Sequence, residues 1–434
     1  MATEPIARPA LPGEATIQSA SQAAVVAKRA PLLNQTLVVF LVAMVLANIS
    51  SHMYEPLLPL YLKSLNANVV QVGLFFTLSR IIPLLLQILG GWISDTLGRL
   101  RSIAFGSIAG VLSYVAMILS PTWGWVLLGE GLAATTRSLV GPSFGAFIAE
   151  QSSEENRARV FGISETIFMM VAVIGPPLGG WLADTYGFQV MLLYAAGLYT
   201  LATIIRILMA RVAARKQEAN PEKLSLEGLK GNLGTMLGLI LAGGLVTWIL
   251  ITDGIQDIAY SLSFNLMPVY LNDFGGLSVQ QIGWLESIFG VFMMLITVPA
   301  GILADRKSER LGIILGFFLQ FLALMVFIRV SNFSGFALAW ALLGLGMGMM
   351  SPAYQSLISK VVPERMRGTA FGLFSTSLGV VSLPAPLIGA QLWQRVGPKF
   401  PFMLTGWAAL LAIIPVWLKF KLPRQQKVVS EAEQ

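Results

Sequence analysis

The sequence predicts an all-α integral membrane protein, with about twelve transmembrane helices arranged as two pseudo-symmetric six-helix bundles. Three observations predict it. Apolar residues make up 55% of the 434 residues and charged residues only 12%, about half the ~25% usual in soluble domains. The mean hydropathy is +0.73. Apolar runs recur along the whole chain, each near the roughly 20 residues that a helix needs to cross a bilayer. Finally, short motifs return at a near-constant spacing of 209 or 210 residues, the mark of a duplicated half.

The clearest of these motifs is the stretch Gly90-Gly91-Trp92-Ile93-Ser94-Asp95-Thr96-Leu97-Gly98-Arg99-Leu100-Arg101 between the second and third runs. Asp95 ends one helix and Gly98 supports a tight turn. Arg99 and Arg101 hold that turn on the cytoplasmic side. Gly91 and Asp95 recur as Gly301 and Asp305, followed by Arg306 and Lys307, 210 residues on. At the same spacing Val69-Val70-Gln71-Val72-Gly73 matches Val279-Gln280-Gln281-Ile282-Gly283, Pro142 matches Pro352, and Arg157, Phe161 and Gly162 match Arg367, Phe371 and Gly372. Pro59, Tyr61 and Leu62 match Pro268, Tyr270 and Leu271 at 209.

In chain order, residues 1–34 read as a disordered cytoplasmic tail with no apolar leader. Six spans follow near 35–62, 71–94, 102–119, 123–149, 160–183 and 190–210, forming an N-terminal bundle over 35–210. The charged stretch 211–235 is a cytoplasmic linker. Six more spans near 237–271, 281–304, 311–330, 333–359, 369–393 and 402–420 form a C-terminal bundle over 236–420, and 421–434 is a polar tail. Basic residues crowd the loops of one side, among them Lys28, Arg29, Arg157, Arg159, Arg310, Arg365 and Arg424, whereas the other side has Lys63, Arg395 and Lys399. Both termini are therefore expected in the cytoplasm of a multi-pass protein of the cell membrane.

The net charge of +7 does not predict nucleic-acid binding, because the basic residues are spread over short loops instead of forming a patch. With no cysteine and a single histidine, His52, neither thiol chemistry nor a histidine metal cluster can be built, and no metal or cofactor is expected. No phosphate-binding loop or nucleophile–base pair appears, so an enzyme is not predicted.

Polar residues inside apolar spans carry more information, since a charge at the bilayer centre costs on the order of 3 kcal/mol and needs a cavity or a partner. In the first span Asn48, Ser51, His52 and Glu55 share one helical face. In the seventh, Asp253, Gln256, Asp257, Tyr260 and Ser261 do the same, with Asp257 at 209 from Asn48. Arg80, Glu130, Arg137 and Glu286 also lie within spans. A helix-to-helix ion pair accounts for Arg80 and Arg137 as well as a functional role does, and a simple helix contact suits His52. Asp257 and Glu55 are the strongest candidates for a substrate and proton cavity. Glu150, at the end of the fourth span near Arg157, reads as a structural gate contact. Tyr54, Tyr61 and Tyr270 read as interface-belt or lining residues. The fifth span contains Gly175-Pro176-Pro177-Leu178-Gly179-Gly180, where prolines remove backbone donors and small residues allow close helix approach.

The chain resembles the major facilitator superfamily over nearly its full length. Gly91, Asp95, Gly98, Arg99 and Arg101 match the family's loop motif, with Thr96 where a basic residue is usual. The resemblance implies that this loop latches a cytoplasmic gate, with Asp95 and Arg99 as its charged members. Gly162, Gly175, Pro176, Gly179 and Gly180 resemble the helix signature of drug/proton antiporters, with Val171 replacing a glycine. A second exporter motif places an arginine three residues before Gln-Gly; here Leu127 precedes Glu130-Gly131, and Arg137 is the nearest substitute.

Together these readings predict a secondary transporter working by alternating access. It is expected to export amphiphilic or cationic small molecules, to be driven by a proton gradient and to function as a monomer in the bilayer. The alternatives are a symporter or facilitator for a sugar, peptide or other metabolite, and a non-transporting membrane receptor or scaffold.

Overall fold

The structure, a computed structural model, describes residues 34–84, 86, 99–154, 156–214, 244–306, 308–361 and 380–420. All regular structure among these residues is helical. The helices are α1 (Gln35–Tyr54), α2 (Leu58–Ser64), α3 (Val69–Ser79), α4 (Arg99–Ile118), α5 (Val126–Gln151), α6 (Arg157–Tyr186) and α7 (Phe188–Ala214). They continue as α8 (Gly244–Ser263), α9 (Met267–Asp273), α10 (Val279–Arg306), α11 (Glu309–Phe327), α12 (Phe333–Val361), α13 (Ala385–Arg395) and α14 (Phe400–Lys419). Eight stretches among the described residues are long and apolar enough to cross a bilayer.

The sequence repeat is also a structural one. Helix α1 ends at Tyr54, a 3₁₀ turn covers Glu55–Leu57, and α2 follows; 209 residues later α8 ends at Ser263, a 3₁₀ turn covers Phe264–Leu266, and α9 follows. The shared cause is the matched pair Pro59 and Pro268. Each lacks the N–H that would bond to the carbonyl four residues back, Glu55 or Phe264. The first span is therefore bent just past Glu55, which starts the 3₁₀ turn while its own N–H still bonds to the Ser51 carbonyl. The next helix begins in the same way in both copies. Asn68 and Gln71 form a reciprocal cap at the start of α3, and Ser278 with Gln281 repeats it before α10.

Helix α3 stops at Ser79, short of the continuous span that the sequence suggests. Pro83 lacks the N–H that would reach the Ser79 carbonyl, and Arg80 sits in the resulting turn.

Helix pairing also repeats: α1 packs on α6 and α7, and correspondingly α8 packs on α13 and α14. The two halves meet along two seams, α6 with α10 and α3 with α13. Both seams use the ends of the helices near the 65–68 and 274–278 loops, which we call the closed end. There one apolar core runs through both halves, joining Leu57, Phe75 and Tyr114 to Leu266, Tyr270, Phe327 and Phe402. At the opposite end the core is split. Leu37, Phe40, Phe147 and Val160 form one cluster in the first half, and Ile249, Phe317, Leu357 and Val416 form another in the second. Among the described residues the halves are thus joined at one end only.

Lipid is as apolar as a leucine core, so close van der Waals packing holds such helices together more than hydrophobic transfer does. Glycines provide it at matched positions. Gly179 of α6 lies against the Met53 backbone of α1, and its counterpart Gly389 of α13 lies against the Leu262 backbone of α8; neither has room for a Cβ.

Candidate functional site

The proline-glycine stretch of α6 serves two neighbours at once. Gly175 and Gly179 receive α1 at His52 and Met53. Gly180 receives the first residues of α10, Val279 and Gln280, while Pro176 and Pro177 press their backbone onto Gly283. One side of the motif therefore builds the first half and the other side builds the seam between halves. Gly162 has open space where a Cβ would stand and takes no part in this packing.

Deeper in the first half, Arg137 of α5 gathers two acids. Its Nη2 donates to Glu130 Oε1 at 2.5 Å, and its Nη1 stands 3.6 Å from Glu55 Oε1. Glu130 is buried, whereas the Arg137 and Glu55 side chains are 46% and 42% exposed. Leu127, at the place of the family arginine, packs instead against the shared apolar core. Asn48 Nδ2 donates to the Met44 carbonyl at 2.8 Å, and His52 Nδ1 lies 2.9 Å from the Asn48 carbonyl. These two side chains are occupied by their own helix.

In the second half Asp253, Asp257 and Tyr260 are half-buried on α8. Neither aspartate makes an ion pair with a described residue. Arg80, from the first half, crosses to α8 and donates from Nη1 to Ser261 Oγ at 2.7 Å. Asp257 is one turn from Ser261 on the same face. Tyr260 stacks on Phe264 with centroids 4.5 Å apart. Glu286 of α10 accepts from Trp340 Nε1 of α12 at 3.2 Å. The structure thus brings together Glu55, Glu130 and Arg137, sets Arg80 beside the Asp257 face, and gives Glu286 an indole donor.

Of the gate motif, Gly91, Asp95 and Gly98 lie outside the described residues. Arg99 Nε lies 3.4 Å from Glu150 Oε1, the acid that the sequence sets near Arg157. Arg101 is exposed at the start of α4. Gly301, Asp305 and Arg306 belong to the last turns of α10, with Arg306 exposed. In the second half Glu309 pairs with Lys360, at the positions that correspond to Arg99 and Glu150. At the closed end Lys63 pairs with Asp273.

Sequence reasoning missed Arg206. It is 1% exposed in α7, donates to Ser107 Oγ at 2.8 Å, contacts Met44 Sδ at 2.9 Å and lies 5.7 Å from the Tyr199 ring centroid. An arginine inside the 190–210 run was the available signal. Tyr54, Tyr61 and Tyr270, expected in the belt or the lining, are core residues; the Tyr61 hydroxyl donates to the Met117 carbonyl at 2.6 Å.

This fold and this placement of charge can be set beside known proteins. A multi-drug resistance efflux pump PmrA homolog of Lactococcus lactis is 26% identical over 384 residues, covering 87% of this chain and 92% of that protein. A Na(+), Li(+), K(+)/H(+) antiporter of Planococcus maritimus is 27% identical over 417 residues, covering 89% and 96%. The class H tetracycline resistance protein of Pasteurella multocida is 23% identical over 375 residues, covering 83% and 90%. Among solved structures, the peptide transporter POT in complex with sulfate aligns with a TM-score of 0.72 at 14% identity, covering 88% of this chain and 94% of that one. That likeness is one of fold. The family model described as Major Facilitator Superfamily matches residues 40–275 and again 249–434. Duplicated halves, each with a bent first helix, agree with this match over both halves: the chain is a membrane transporter and belongs to the Major Facilitator Superfamily.

Proposed function

We propose that this protein exports small amphiphilic or cationic molecules in exchange for protons, by rocking its halves, 35–210 and 236–420, around a site at mid-membrane. The closed end then faces outward, both termini lie in the cytoplasm of the cell membrane, and the monomer is the working unit. The observation that carries the reading is the placement of carboxylates on both sides of the interface. Glu55 and Glu130 share Arg137, while Asp253 and Asp257 lie on α8 without an ion-pair partner among the described residues. A cation and a proton can compete for such carboxylates, and loss of a charge changes the cost of closing the halves around them. The proline-glycine packing of α6 and the names of the relatives favour export.

The antiporter relative from Planococcus maritimus, alignable with 89% of this chain, supports a second reading in which the cation is a monovalent metal ion. The test is the purified protein in proteoliposomes with an imposed pH gradient and an internal pH dye. Ethidium, tetracycline, Na⁺ and a dipeptide are added in turn. Proton movement on adding ethidium or tetracycline supports drug export, and movement on adding Na⁺ supports the second reading. In either case Asp257→Asn should abolish the response. Proton movement with the dipeptide alone, or substrate equilibration without any proton movement, overturns both.

A further inference from the structure

The α6–α10 seam contains a hydrogen bond that the proline-glycine motif makes necessary. In a helix the N–H of residue 177 would serve the carbonyl of Val173. Pro177 has no N–H, so that carbonyl has no donor within α6, and hydrocarbon supplies none. Ser287 of α10, which is 5% exposed, points its hydroxyl across the seam and donates to Val173 O at 2.5 Å. Gly283 and Gly290 flank Ser287 on the same face of α10 and let it come this close, Gly283 beneath Pro176 and Pro177 and Gly290 against Val173.

The other seam supplies an internal comparison. Thr77 of α3 corresponds to Ser287, and Leu387 of α13 corresponds to Pro177, each at a spacing of 210 residues. Leu387 has an N–H. It lies in the first turn of α13, where N–H groups have no partner in their own helix, and it donates to Thr77 Oγ1 at 3.2 Å. Both seams therefore place a hydroxyl at the same position, used in opposite senses. Where the facing residue offers an N–H the hydroxyl accepts; where proline has removed it, the hydroxyl donates to the exposed carbonyl.

We propose that Ser287 is a positioning residue of the transport cycle, whose bond to the proline-freed carbonyl of Val173 holds the closed end shut and sets the balance between the two access states. Thr77 acts in the same direction on the opposite seam. Opening the closed end pulls α6 from α10 and takes the Ser287 donor away from Val173 O. The inference rests on the alternating-access reading above, but on neither the direction of transport nor the coupling ion.

The protein has no cysteine, so a spin-label pair can be introduced without background. Thr122 and Ser331 are exposed in the loops at the closed end of each half, and T122C/S331C reports its opening by pulsed electron spin resonance in nanodiscs. Loss of the donor to this proline-freed carbonyl should raise the ratio of open to closed populations in S287A roughly fivefold or more. S287T should match the parent. P177A returns the N–H to α6, and in that background S287A should lose its effect. Equal distributions for S287A and its parent overturn the proposal, as does an equal shift with and without P177A, which would make Ser287 a packing residue only. A single distance in every variant overturns it together with alternating access. Shifts among the variants in a protein that moves none of the tested compounds support it while the export reading falls.

Discussion

Removing Arg137 tests whether the polar cluster of the first half is a balanced charge group. Arg137 is the ion-pair partner of both Glu130 and Glu55. Glu130 is only 8% exposed, and its Oε2 has no hydrogen-bond partner among the described residues. Breaking a fully buried pair by deleting one member costs about 3–5 kcal/mol, whereas exposed pairs are worth about 0–1 kcal/mol. With Arg137 itself 46% exposed, an intermediate loss of about 2–3 kcal/mol follows for Arg137→Ala. Glu130→Gln should cost less, about 1 kcal/mol, because Arg137 keeps Glu55 and an amide oxygen still accepts its hydrogen bond. In the double variant the neutral amide at position 130 needs no counter-ion, so its stability should lie above that of Arg137→Ala alone. The assay is a thermal melt of the detergent-purified protein followed by intrinsic fluorescence. An Arg137→Ala protein as stable as the parent, or a double variant less stable than Arg137→Ala, would refute the reasoning.

Three further outcomes follow from the geometry. Arg80→Ala removes a charged hydrogen bond between halves, worth about 1.5–3 kcal/mol. It should slow pH-driven transport at least tenfold while Ser261→Ala has a smaller effect; equal rates would remove Arg80 from the cycle. Gly179→Ala drives a Cβ into the Met53 backbone and should destabilise by about 1–3 kcal/mol, whereas Gly162→Ala, in open space, should melt like the parent. The Lys63–Asp273 pair is 26% and 33% exposed and contributes about 0–1 kcal/mol. Lys63→Asp should therefore leave the melt unchanged yet favour opening of the closed end, and adding Asp273→Lys should reverse that opening, as read by the same spin-label pair.

Much of the fold was legible because bilayer length and duplication are one-dimensional signals. The recurrence of Pro59 as Pro268 and of Gly73 as Gly283 can be read without knowing which helix faces which. The bend after Tyr54 was less so: apolar length alone reads the first span as one unbroken helix, and Pro59 breaks it. Charges within spans pointed to Arg137, Glu130 and Glu55, but not to their union, since Glu55 comes from a different span and helix facing is a tertiary property. The same holds for Ser287 and Trp340. A serine in an apolar helix is unremarked by any pattern until the carbonyl opposite it is known to lack a donor. Arg206 was visible in the sequence, but its neutral partners, a serine, a methionine and a tyrosine ring, carry no complementary charge for sequence reasoning to find.

The ion pairs at the end opposite the closed one bear on how a duplicated chain keeps its copies apart. Two halves with the same helix order offer α4 a wrong partner, since α12 has the shape of α5, and likewise offer α11 the wrong helix α5. Arg99 pairs with Glu150, but Glu309 pairs with Lys360 at the corresponding positions with the signs reversed. Exchanged partners would set Arg99 against Lys360 and Glu309 against Glu150. Each wrong assembly thus meets like charge at the site where the right one meets opposite charge, and a discrimination of this kind comes from repulsion in the alternative as much as from attraction in the native pair. The polarity of one ion pair works as a label for the half to which a helix belongs. Halves expressed as separate chains should for this reason reassemble faithfully, and reversing the signs in one half alone should let hybrid pairings compete, seen as a lower yield of the native complex on co-purification.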